Sequence, residues 1–399
     1  MATARHTKQS KGYKGSKESK RILRQAMRNP FKPTAGAMPP LLVGRSDALD
    51  SFEEGIEDGP GSPGLLTIFT GARGVGKTVM LSAAEDLAKE HGWVTISDTA
   101  TPGLMVRLGT TMKQHLEELG DGPTRSRVTA ISVAGWGVTR QLPPEKQVEW
   151  RQIATELLDI LGDHETGLLI TVDEIHAVDR DELTQLAAAI QHLIRDEQPI
   201  ALLMAGIPKA VSDLLNEDVS TFLRRAERVD LRDVPIADVR DALEETFRAS
   251  GVGISPDQLT RAAQSTGGYP FLIQLVGYQV WRLANRRTDR AVTDEAMTEA
   301  LDAARRRLGS TVIAAAVNGL SDVDKTFLVM MADDDGPSRT SEIASRLGQT
   351  AKYASVYRKR LIDAAMIQAT GTGLVDFTVP FMREWLREHA ASMHRPGRL

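Results

Sequence analysis

Apolar and polar residues alternate in blocks between about residue 40 and residue 235. Continuous apolar runs lie at 65–69, 168–172 and 200–205, and each run ends abruptly at a polar residue or a glycine. Such runs are typical of strands that are buried on both faces of a parallel sheet. The remaining stretches predict helices at Asp47–Ile56, Leu104–Leu119, Glu145–Leu161 and Asp181–Arg195, further strands at Trp93–Ser97 and around Leu231, and a hairpin-like insertion at 126–142. This alternation predicts an α/β domain over residues 31–235.

The pattern becomes purely helical from residue 236 to about residue 310. Ser255, Pro256 and Gln258 together form a helix-start signal with a capping box. A second helix is predicted at Phe271–Leu283, and Thr293 is expected to cap a third. Three short helices after an α/β domain predict a helical lid.

Residues 311–399 combine helices with a strand pair. The predicted elements are helices at Asp322–Met331, Ser341–Leu347 and Ala351–Ala365, followed by strands at Ile367–Thr370 and Leu374–Thr378. The two strands turn at the glycines of 371–373. This order of elements is typical of a winged helix-turn-helix domain.

Composition and charge narrow the class of protein. The 399 residues are 41% hydrophobic and include no cysteine, which excludes disulfides, zinc–thiolate sites and a cysteine nucleophile. No apolar run is long enough to cross a bilayer, and the basic N-terminus lacks the apolar core of a secretory signal. We therefore expect a cytoplasmic protein without a membrane partner.

The net charge of −4 is distributed unevenly. Residues 1–33 carry ten Lys or Arg residues and one acidic residue, so the rest of the chain carries a net charge of −13. Residues 1–30 contain almost nothing apolar, and we expect them to form a disordered basic tail. Two interpretations stay open for this tail: an arm that binds phosphates, and a solvated segment without a ligand.

The stretch Gly71–Thr78 reads GARGVGKT and links a predicted strand to a predicted helix. In this pattern, backbone N–H groups at a helix N-terminus bind the phosphates of a nucleotide. Lys77 is expected to reach the β- and γ-phosphates, and the Thr78 hydroxyl is expected to ligate Mg²⁺. The predicted nucleotide-binding residues are Gly71, Ala72, Arg73, Gly74, Val75, Gly76, Lys77, Thr78 and Val79.

Two acidic residues, Asp173 and Glu174, follow the apolar run at 168–172 directly. The carboxyl ends of parallel strands are where such sheets bind ligands. We expect Asp173 to hold the Mg²⁺ shell, directly or through water, and Glu174 to polarise the attacking water. His176 is either a sensor of the γ-phosphate or a polar surface residue.

Two further groups in this domain have open interpretations. Gly44 and Arg45, just before the first helix, either contact the adenine or form a surface turn. Arg224, Arg225 and Arg228 precede the last strand, and we take Arg225 as the candidate catalytic arginine that reaches the γ-phosphate of a neighbouring subunit. Ordinary surface salt bridges are the alternative for all three.

The third helix of the C-terminal segment is rich in basic and aromatic residues. Residues 336–399 hold ten Lys or Arg residues against five acidic residues, on an otherwise acidic body. Contacts to DNA phosphates and base edges are one interpretation, and protein contacts are the other. The candidate DNA-binding residues are Lys352, Tyr357, Arg358, Lys359 and Arg360, with Tyr353 on the same helix.

From about Asn29 to the C-terminus, these motifs resemble the AAA+ ATPases related to the origin-recognition and Cdc6-type initiators, in the bacterial and archaeal branch that borders the STAND NTPases. The resemblance is carried by LLVGR (41–45), GARGVGKT (71–78), LLITVDEIH (168–176), LLMAGIP (202–208), FLRRAERVDL (222–231) and GGYPFLIQLVG (267–277). It implies an α/β P-loop NTPase (AAA+) core with a parallel sheet, a helical lid and a C-terminal winged helix-turn-helix, with ATP and Mg²⁺ as ligands.

The chain departs from this family at two positions. The strand that ends at Ala205–Gly206 lacks the polar sensor residue that is usual in AAA+ proteins, and Pro270–Phe271 stand where related initiators carry an arginine. Both missing groups would couple the γ-phosphate to chemistry. The resemblance therefore implies slow hydrolysis, or a role of the nucleotide as a conformational switch.

We expect an ATPase that drives or switches an assembly on double-stranded DNA and that forms a homo-oligomer in ATP. The alternative is a STAND-type signalling or defence switch whose winged helix contacts an unidentified protein partner. A phosphate-loop kinase is the third interpretation, but a lid and a winged helix have no role in phosphorylating a small molecule.

Overall fold

The structure is a computed structural model that describes residues 28–34, 36–119, 144–177, 180–216 and 222–393. The predicted hairpin at 126–142 lies outside these described residues. Nearly all of the predicted basic tail lies outside them as well.

Five parallel strands form the sheet of the α/β domain, in the order β2–β3–β4–β1–β5. They are β1 (Leu66–Thr70), β2 (Val94–Thr99), β3 (Leu168–Asp173), β4 (Ile200–Gly206) and β5 (Glu227–Asp230). The central strands β3, β4 and β1 are buried along almost their whole length, which explains their continuous apolar sequences. The parallel register pairs Thr70 with Gly206 on one side and with Asp230 on the other. The carboxyl ends of the strands therefore lie together at one edge.

Helices connect these strands, as the alternating pattern predicts. They are α1 (Ser46–Asp58), α2 (Lys77–Glu90), α3 (Leu104–Leu119), α4 (Pro144–Asp163), α5 (Arg180–Arg195) and α6 (Pro208–Asn216). The bounds of α3 agree with the prediction, whereas α6 was not predicted. Leu231 lies one residue beyond β5 rather than inside it.

The described chain forms two compact units. One unit comprises the described residues up to Val43 together with Val234–Thr311, and the other comprises Gly44–Asp233 together with the described residues from Val312 onward.

Four helices form most of the first unit. They are α7 (Ile236–Ala249), α8 (Pro256–Thr266), α9 (Pro270–Ala284) and α10 (Asp294–Leu308). The capping box at Ser255 is confirmed, since its side chain accepts from the N–H of Gln258 while the Gln258 side chain accepts from the Ser255 N–H. Thr293 caps α10 as predicted. Three helices were predicted here, and α7 was missed because it begins after Pro235 without a side-chain cap.

The segment that precedes α1 also packs in this unit. Phe31 is buried, and its ring centroid lies 5.1 Å from that of Phe247 in α7. Asn29 donates a hydrogen bond from Nδ2 to the Tyr278 carbonyl at 3.0 Å. A Cβ on Gly277 would overlap the Phe31 ring, so only glycine at this position of α9 leaves room for it.

A π-helical turn (Gly309–Ile313) and α11 (Ala314–Asn318) lead into the C-terminal segment. Its elements are α12 (Asp322–Ala332), β6 (Ser338–Arg339), α13 (Thr340–Arg346), α14 (Ala351–Asp363), β7 (Ile367–Gly371), β8 (Leu374–Phe377) and α15 (Met382–Met393). The three strands pair antiparallel in the order β6–β8–β7. The predicted helices and strand pair are present within one or two residues, whereas β6 and α15 were not predicted.

Candidate nucleotide site

The loop between β1 and α2 has the conformation that its glycines allow. Gly71, Gly74 and Gly76 have φ angles of 153°, 77° and 97°, which residues with a side chain rarely adopt. A Cβ on Gly71 would lie 2.6 Å from the Leu231 carbonyl oxygen. A Cβ on Gly76 would meet nothing within 4 Å, so there is open space beside this glycine. The backbone of the loop can therefore be approached closely by an anion.

Lys77, the first residue of α2, is almost fully buried at 8% exposure. Its Nζ donates hydrogen bonds to the carbonyl oxygens of Gly71 at 3.0 Å and Ala72 at 2.8 Å. Burial lowers the pKa of Lys77, while the nearby carboxylates of Glu174 and Asp173 raise it. The loop thus contains a buried ammonium group that lies within the electrostatic field of the acidic pair.

The phosphate loop and the acidic pair meet at the edge of the sheet. The Thr78 hydroxyl donates a hydrogen bond to Asp173 Oδ2 at 2.5 Å. A hydroxyl and a carboxylate oxygen at this separation are the kind of donor pair that Mg²⁺ accepts alongside water and substrate phosphates. Within the described ranges, no group of three or more His, Asp or Glu residues is arranged to hold a metal. Thr78 and Asp173 supply two oxygen atoms that fit a Mg²⁺ ion bound together with substrate phosphates.

Glu174 occupies a strained turn directly after β3. Its φ angle is 56°, and its backbone N–H donates to Asp173 Oδ1 at 2.7 Å. The exposed Glu174 side chain pairs with His176, with Oε2 and Nε2 3.0 Å apart. His176 was predicted to be either a γ-phosphate sensor or a polar surface residue, and in the structure it contacts the expected general base.

Ile175 anchors this turn to the neighbouring strand. Its N–H donates to the Ala205 carbonyl at 3.0 Å, and its side chain is buried. A Cβ on Gly206 would overlap Ile175 Cγ1. Ile175 thus fills the space beside the end of β4, where the sequence lacks a polar sensor residue. This role of Ile175 was not predicted, although the glycine that follows Ala205 in the sequence indicates space for a neighbouring side chain.

Arg45 contacts the backbone of the phosphate loop. Its Nη2 donates to the Val75 carbonyl at 3.4 Å and also to the Arg232 carbonyl. Burial lowers the pKa of Arg45, and the carboxylates of Asp233 and Asp230 raise it. Gly44 precedes it with a φ angle of 63°. The predicted contact of Gly44 and Arg45 with adenine stays a prediction.

Arg225 lies in a short 3₁₀ turn (Leu223–Arg225) before β5 and is exposed. Its neighbour Arg224 donates from Nε to the Leu215 carbonyl at 2.8 Å, so this guanidinium supports α6. The catalytic role of Arg225 across a subunit boundary stays a prediction.

The candidate DNA-binding residues on α14 differ in their surroundings. Lys352 and Lys359 are exposed, whereas Arg358 and Tyr357 are half-buried, and the Tyr357 ring lies 4.8 Å from that of Tyr353. Arg360 pairs with Asp324, a carboxylate that is only 4% exposed, at 2.8 Å. Arg360 therefore supports the packing of α14 on α12.

Much of the positive charge of this segment is paired within it. Three other arginines form ion pairs with acidic residues: Arg346 with Asp334, Arg383 with Asp376, and Arg387 with Asp335. The basic surplus counted from the sequence therefore overstates the charge that these described residues offer to a polyanion.

No helix among the described residues is long and apolar enough to cross a membrane.

Comparison with known proteins gives two family matches. Residues 41–204 match a family described as the AAA ATPase domain. Residues 310–386 match a domain of unknown function, DUF8462. The search of curated proteins found no match to the sequence.

Solved structures with the same fold extend over nearly the whole chain. A Walker-type ATPase of Pyrococcus abyssi matches with a TM-score of 0.61 and 16% identity, covering 91% of this chain and 99% of its own. The ORC2 protein of Aeropyrum pernix, solved as ADPNP–ADP complexes, matches with a TM-score of 0.60 and 13% identity, covering 90% and 97%. At these identities the likeness establishes the fold. Residues 41–204 therefore form an AAA ATPase domain, and the overall fold is that of these two solved proteins.

Proposed function

We propose that this protein binds ATP with Mg²⁺ and hydrolyses it slowly, to drive or switch an assembly on double-stranded DNA. The observation that carries the nucleotide part is the contact between Thr78 and Asp173, because it brings the phosphate loop and the acidic pair to one place. The match of residues 41–204 to the AAA ATPase domain supports the same conclusion.

Each residue of the site has a distinct role in this proposal. The N–H groups of the phosphate loop and the buried ammonium of Lys77 bind the phosphates. Thr78 and Asp173 hold Mg²⁺, which neutralises phosphate charge when it is bound. Glu174 orients the attacking water and accepts its proton.

Slow turnover follows from two positions at which this chain has no polar side chain. Ile175 packs over Gly206 where a polar sensor would project from the end of β4. In the helical unit, α9 begins with Pro270 and Phe271 in place of an arginine. Fewer groups then contact the γ-phosphate, so less of the transition-state charge is stabilised.

The DNA part of the proposal rests on the order of elements from α12 to β8, interpreted as a winged helix-turn-helix with α14 as its recognition helix. The exposed Lys352 and Lys359 would contact phosphates, with Tyr357 and Arg358 beside them on the same helix. Arg360 is held by Asp324 and would act by orienting the helix.

The proposal also includes a homo-oligomer in ATP, in which Arg225 reaches the γ-phosphate of a neighbouring subunit. Four parts of the chain take part: a basic tail (1–30), a nucleotide domain (31–235), a helical lid (236–310) and a winged helix (311–399). Phe31, at the start of the nucleotide domain, contacts α7 and α9, so this segment packs on the helical lid.

A second candidate is a STAND-type switch in which the C-terminal segment contacts protein. Two observations favour it. Several arginines are paired with acidic residues of the same segment: Arg346, Arg383 and Arg387. On α14, the side chain of Val356 is 54% exposed. Internally paired arginines and an exposed apolar side chain are better suited to a protein partner than to a polyanion.

One set of measurements on the full chain separates these candidates. ATP affinity and turnover are measured with and without duplex DNA, DNA affinity is measured as a function of salt, and the particle mass is measured in ATP. Salt-dependent DNA binding, with turnover altered by DNA, supports the first candidate. Turnover without DNA binding at about 50 mM salt favours the second. Absence of ATP binding overturns both.

A further inference from the structure

We propose that Arg45 is a positioning residue that fixes the peptide between Val75 and Gly76, so that the Gly76 N–H faces the phosphate site. This inference rests on the proposed function, since it assigns Arg45 to phosphate binding at that same site. It differs from the adenine contact expected for Arg45 from the sequence.

The first observation is the pair of carbonyl groups that Arg45 joins. Its Nη2 donates to Val75 in the phosphate loop at 3.4 Å and to Arg232 just after β5. Both acceptors are backbone carbonyl oxygens, so these hydrogen bonds depend on the position of the main chain and not on the side chains of Val75 and Arg232. Arg45 itself is half-buried in the turn that begins α1.

The geometry of the peptide unit links the Val75 carbonyl to the Gly76 N–H. In a trans peptide, the carbonyl of one residue and the N–H of the next point in opposite directions. No peptide bond in the described chain is cis. Holding the Val75 carbonyl therefore also sets the direction of the Gly76 N–H, which belongs to the group of donors that binds phosphates in such loops.

Gly76 needs this support because its own conformation is permissive. Its φ angle is 97°, and a Cβ there would meet no atom within 4 Å. Without a side chain and without packing on that side, the loop gains little rigidity from its own residues. An external hydrogen-bond donor reduces the number of conformations that the loop must lose when it binds phosphate.

Arg45 and its second acceptor, Arg232, lie near the two ends of Gly44–Asp233, one of the two chain segments that form one unit. The chain enters the unit that contains the sheet at Gly44 and leaves it after Asp233. Arg45 follows the first crossing directly, and Arg232 precedes the second by one residue. Within this unit, one guanidinium therefore bonds the phosphate loop to the backbone just after β5.

The surrounding charges hold Arg45 in place. The carboxylates of Asp233 and Asp230 face it, and burial raises the pKa of Asp233 while Arg45 lowers it. The Asp230 carboxylate also accepts from Arg232 Nε at 3.0 Å. These charges favour the position of the guanidinium that its hydrogen bonds to Val75 and Arg232 define.

The test compares the binding of ATP with that of inorganic tripolyphosphate, both with Mg²⁺, by titration calorimetry. Tripolyphosphate carries the phosphates without the base and the ribose. The variants are Arg45→Ala and Arg45→Lys. A lysine keeps the charge, but its ammonium ends about one bond short of the Nη2 position, which removes the reach to both carbonyls. Arg232→Ala is the matched control, because it removes an exposed guanidinium and leaves the carbonyl that Arg45 uses.

We expect Arg45→Ala to weaken both ligands by the same factor, about tenfold, and Arg45→Lys to weaken both by at least about threefold. Arg232→Ala should bind both ligands as the wild type does. Hydrogen–deuterium exchange without ligand should become faster in the phosphate loop of both Arg45 variants and stay unchanged in α5 and β4. If the alanine variant does not fold, the lysine variant carries the test.

Three results would overturn the inference. The first is a loss of ATP affinity with unchanged tripolyphosphate affinity, which would assign Arg45 to the nucleoside. The second is wild-type affinity in Arg45→Lys, which would mean that charge alone acts. The third is unchanged exchange in the loop of both variants. If the wild-type protein binds neither ligand, the proposed function fails instead.

Discussion

The hydroxyl group of Thr78 donates a hydrogen bond to the carboxylate of Asp173 at 2.5 Å, although the two residues are 95 positions apart in the sequence. Thr78 is in the first turn of α2 and Asp173 is the last residue of β3. Their contact places the phosphate loop and the acidic pair where one metal ion can reach both. The ATPase proposal depends on this relationship.

Removing Lys77 should abolish ATP binding. In Lys77→Ala the loop loses the buried ammonium that neutralises phosphate charge, together with its bonds to the Gly71 and Ala72 carbonyls. We expect the dissociation constant for MgATP to rise by about 100-fold or more, measured by titration calorimetry. Lys89→Ala, on the exposed face of the same helix, should bind ATP normally. Unchanged affinity in Lys77→Ala would contradict the phosphate-loop assignment.

Glu174→Gln should retain ATP binding and stall turnover. The amide has nearly the same shape as the carboxylate but cannot accept the proton of the attacking water, so we expect kcat to fall by about 10²–10⁴-fold. The matched control is Glu165→Gln, an exposed glutamate with the same φ angle of 56°. Phosphate release and nucleotide affinity are the measurements. Turnover at the wild-type rate would mean that another group activates the water.

Gly206→Ala should displace the turn that carries Glu174. The new Cβ would overlap Ile175 Cγ1, and relieving that overlap is expected to cost about 1–3 kcal/mol of stability. We expect lower kcat with nearly unchanged ATP affinity, because the phosphate loop is not altered. Thermal unfolding and phosphate release are the measurements.

Two further variants control this experiment. Gly336→Ala should have no effect, since a Cβ there meets nothing within 4 Å. In the double variant Gly206→Ala/Ile175→Ala the loss of stability should be smaller than the sum of the losses in the two single variants, because the clashing atom is gone. If the single variant turns over ATP normally, the Ile175 anchor does not position Glu174.

Charge reversal at Lys352 and Lys359 should weaken DNA binding without loss of stability. Both side chains are exposed, so the change should remove phosphate contacts without disturbing the packing of α14. The slope of log affinity against log salt concentration should then fall by about two, one for each lysine. Fluorescence anisotropy with a DNA duplex over a range of salt measures this effect. Lys89→Glu/Arg195→Glu makes the same charge change in the α/β domain and should leave DNA binding intact.

Arg360→Glu should behave differently from these lysine variants. It leaves the buried carboxylate of Asp324 beside a second negative charge, so we expect a lower unfolding temperature together with weaker DNA binding. If none of these reversals changes DNA affinity, the C-terminal segment contacts protein instead.

Asp334 should contribute stability that depends on pH. The hydrogen bond from Arg346 holds the pKa of Asp334 below its usual range, helped by Ser338 and by the charge of Arg383. Because the pKa is lower in the folded state, the contribution is complete above the unfolded pKa near 4 and is lost as pH falls through the folded pKa. We expect Asp334→Asn to lower the unfolding temperature by about 2–4 °C at pH 7, and this difference should shrink as the pH falls below about 4.

Asp335→Asn is the control for this measurement, since Asp335 also pairs with an arginine but its side chain is 94% exposed. It should change the unfolding temperature little at any pH. An equal effect of both variants at pH 7 would show that Asp334 has no special stabilising role.

The local sequence was sufficient for most of the elements and for the main motif. The runs at 168–172 and 200–205 predict β3 and β4 because strands buried on both faces consist almost entirely of apolar residues. The phosphate loop can be predicted because three glycines, a lysine and a threonine at this spacing rarely occur in another kind of loop. The helix α7 was missed because Pro235 gives it no side-chain cap, and β6 because two residues form no pattern.

The contacts between distant segments were decided by the tertiary structure alone. The sequence contains Arg45, Arg360 and Ile175, but it does not show that they meet the Val75 carbonyl, Asp324 and the space over Gly206. Hydrophobic periodicity and loop motifs depend on neighbours along the chain, whereas these contacts depend on how strands and helices pack. The residues next to an arginine or an isoleucine in the sequence therefore do not indicate which distant group it contacts in the fold.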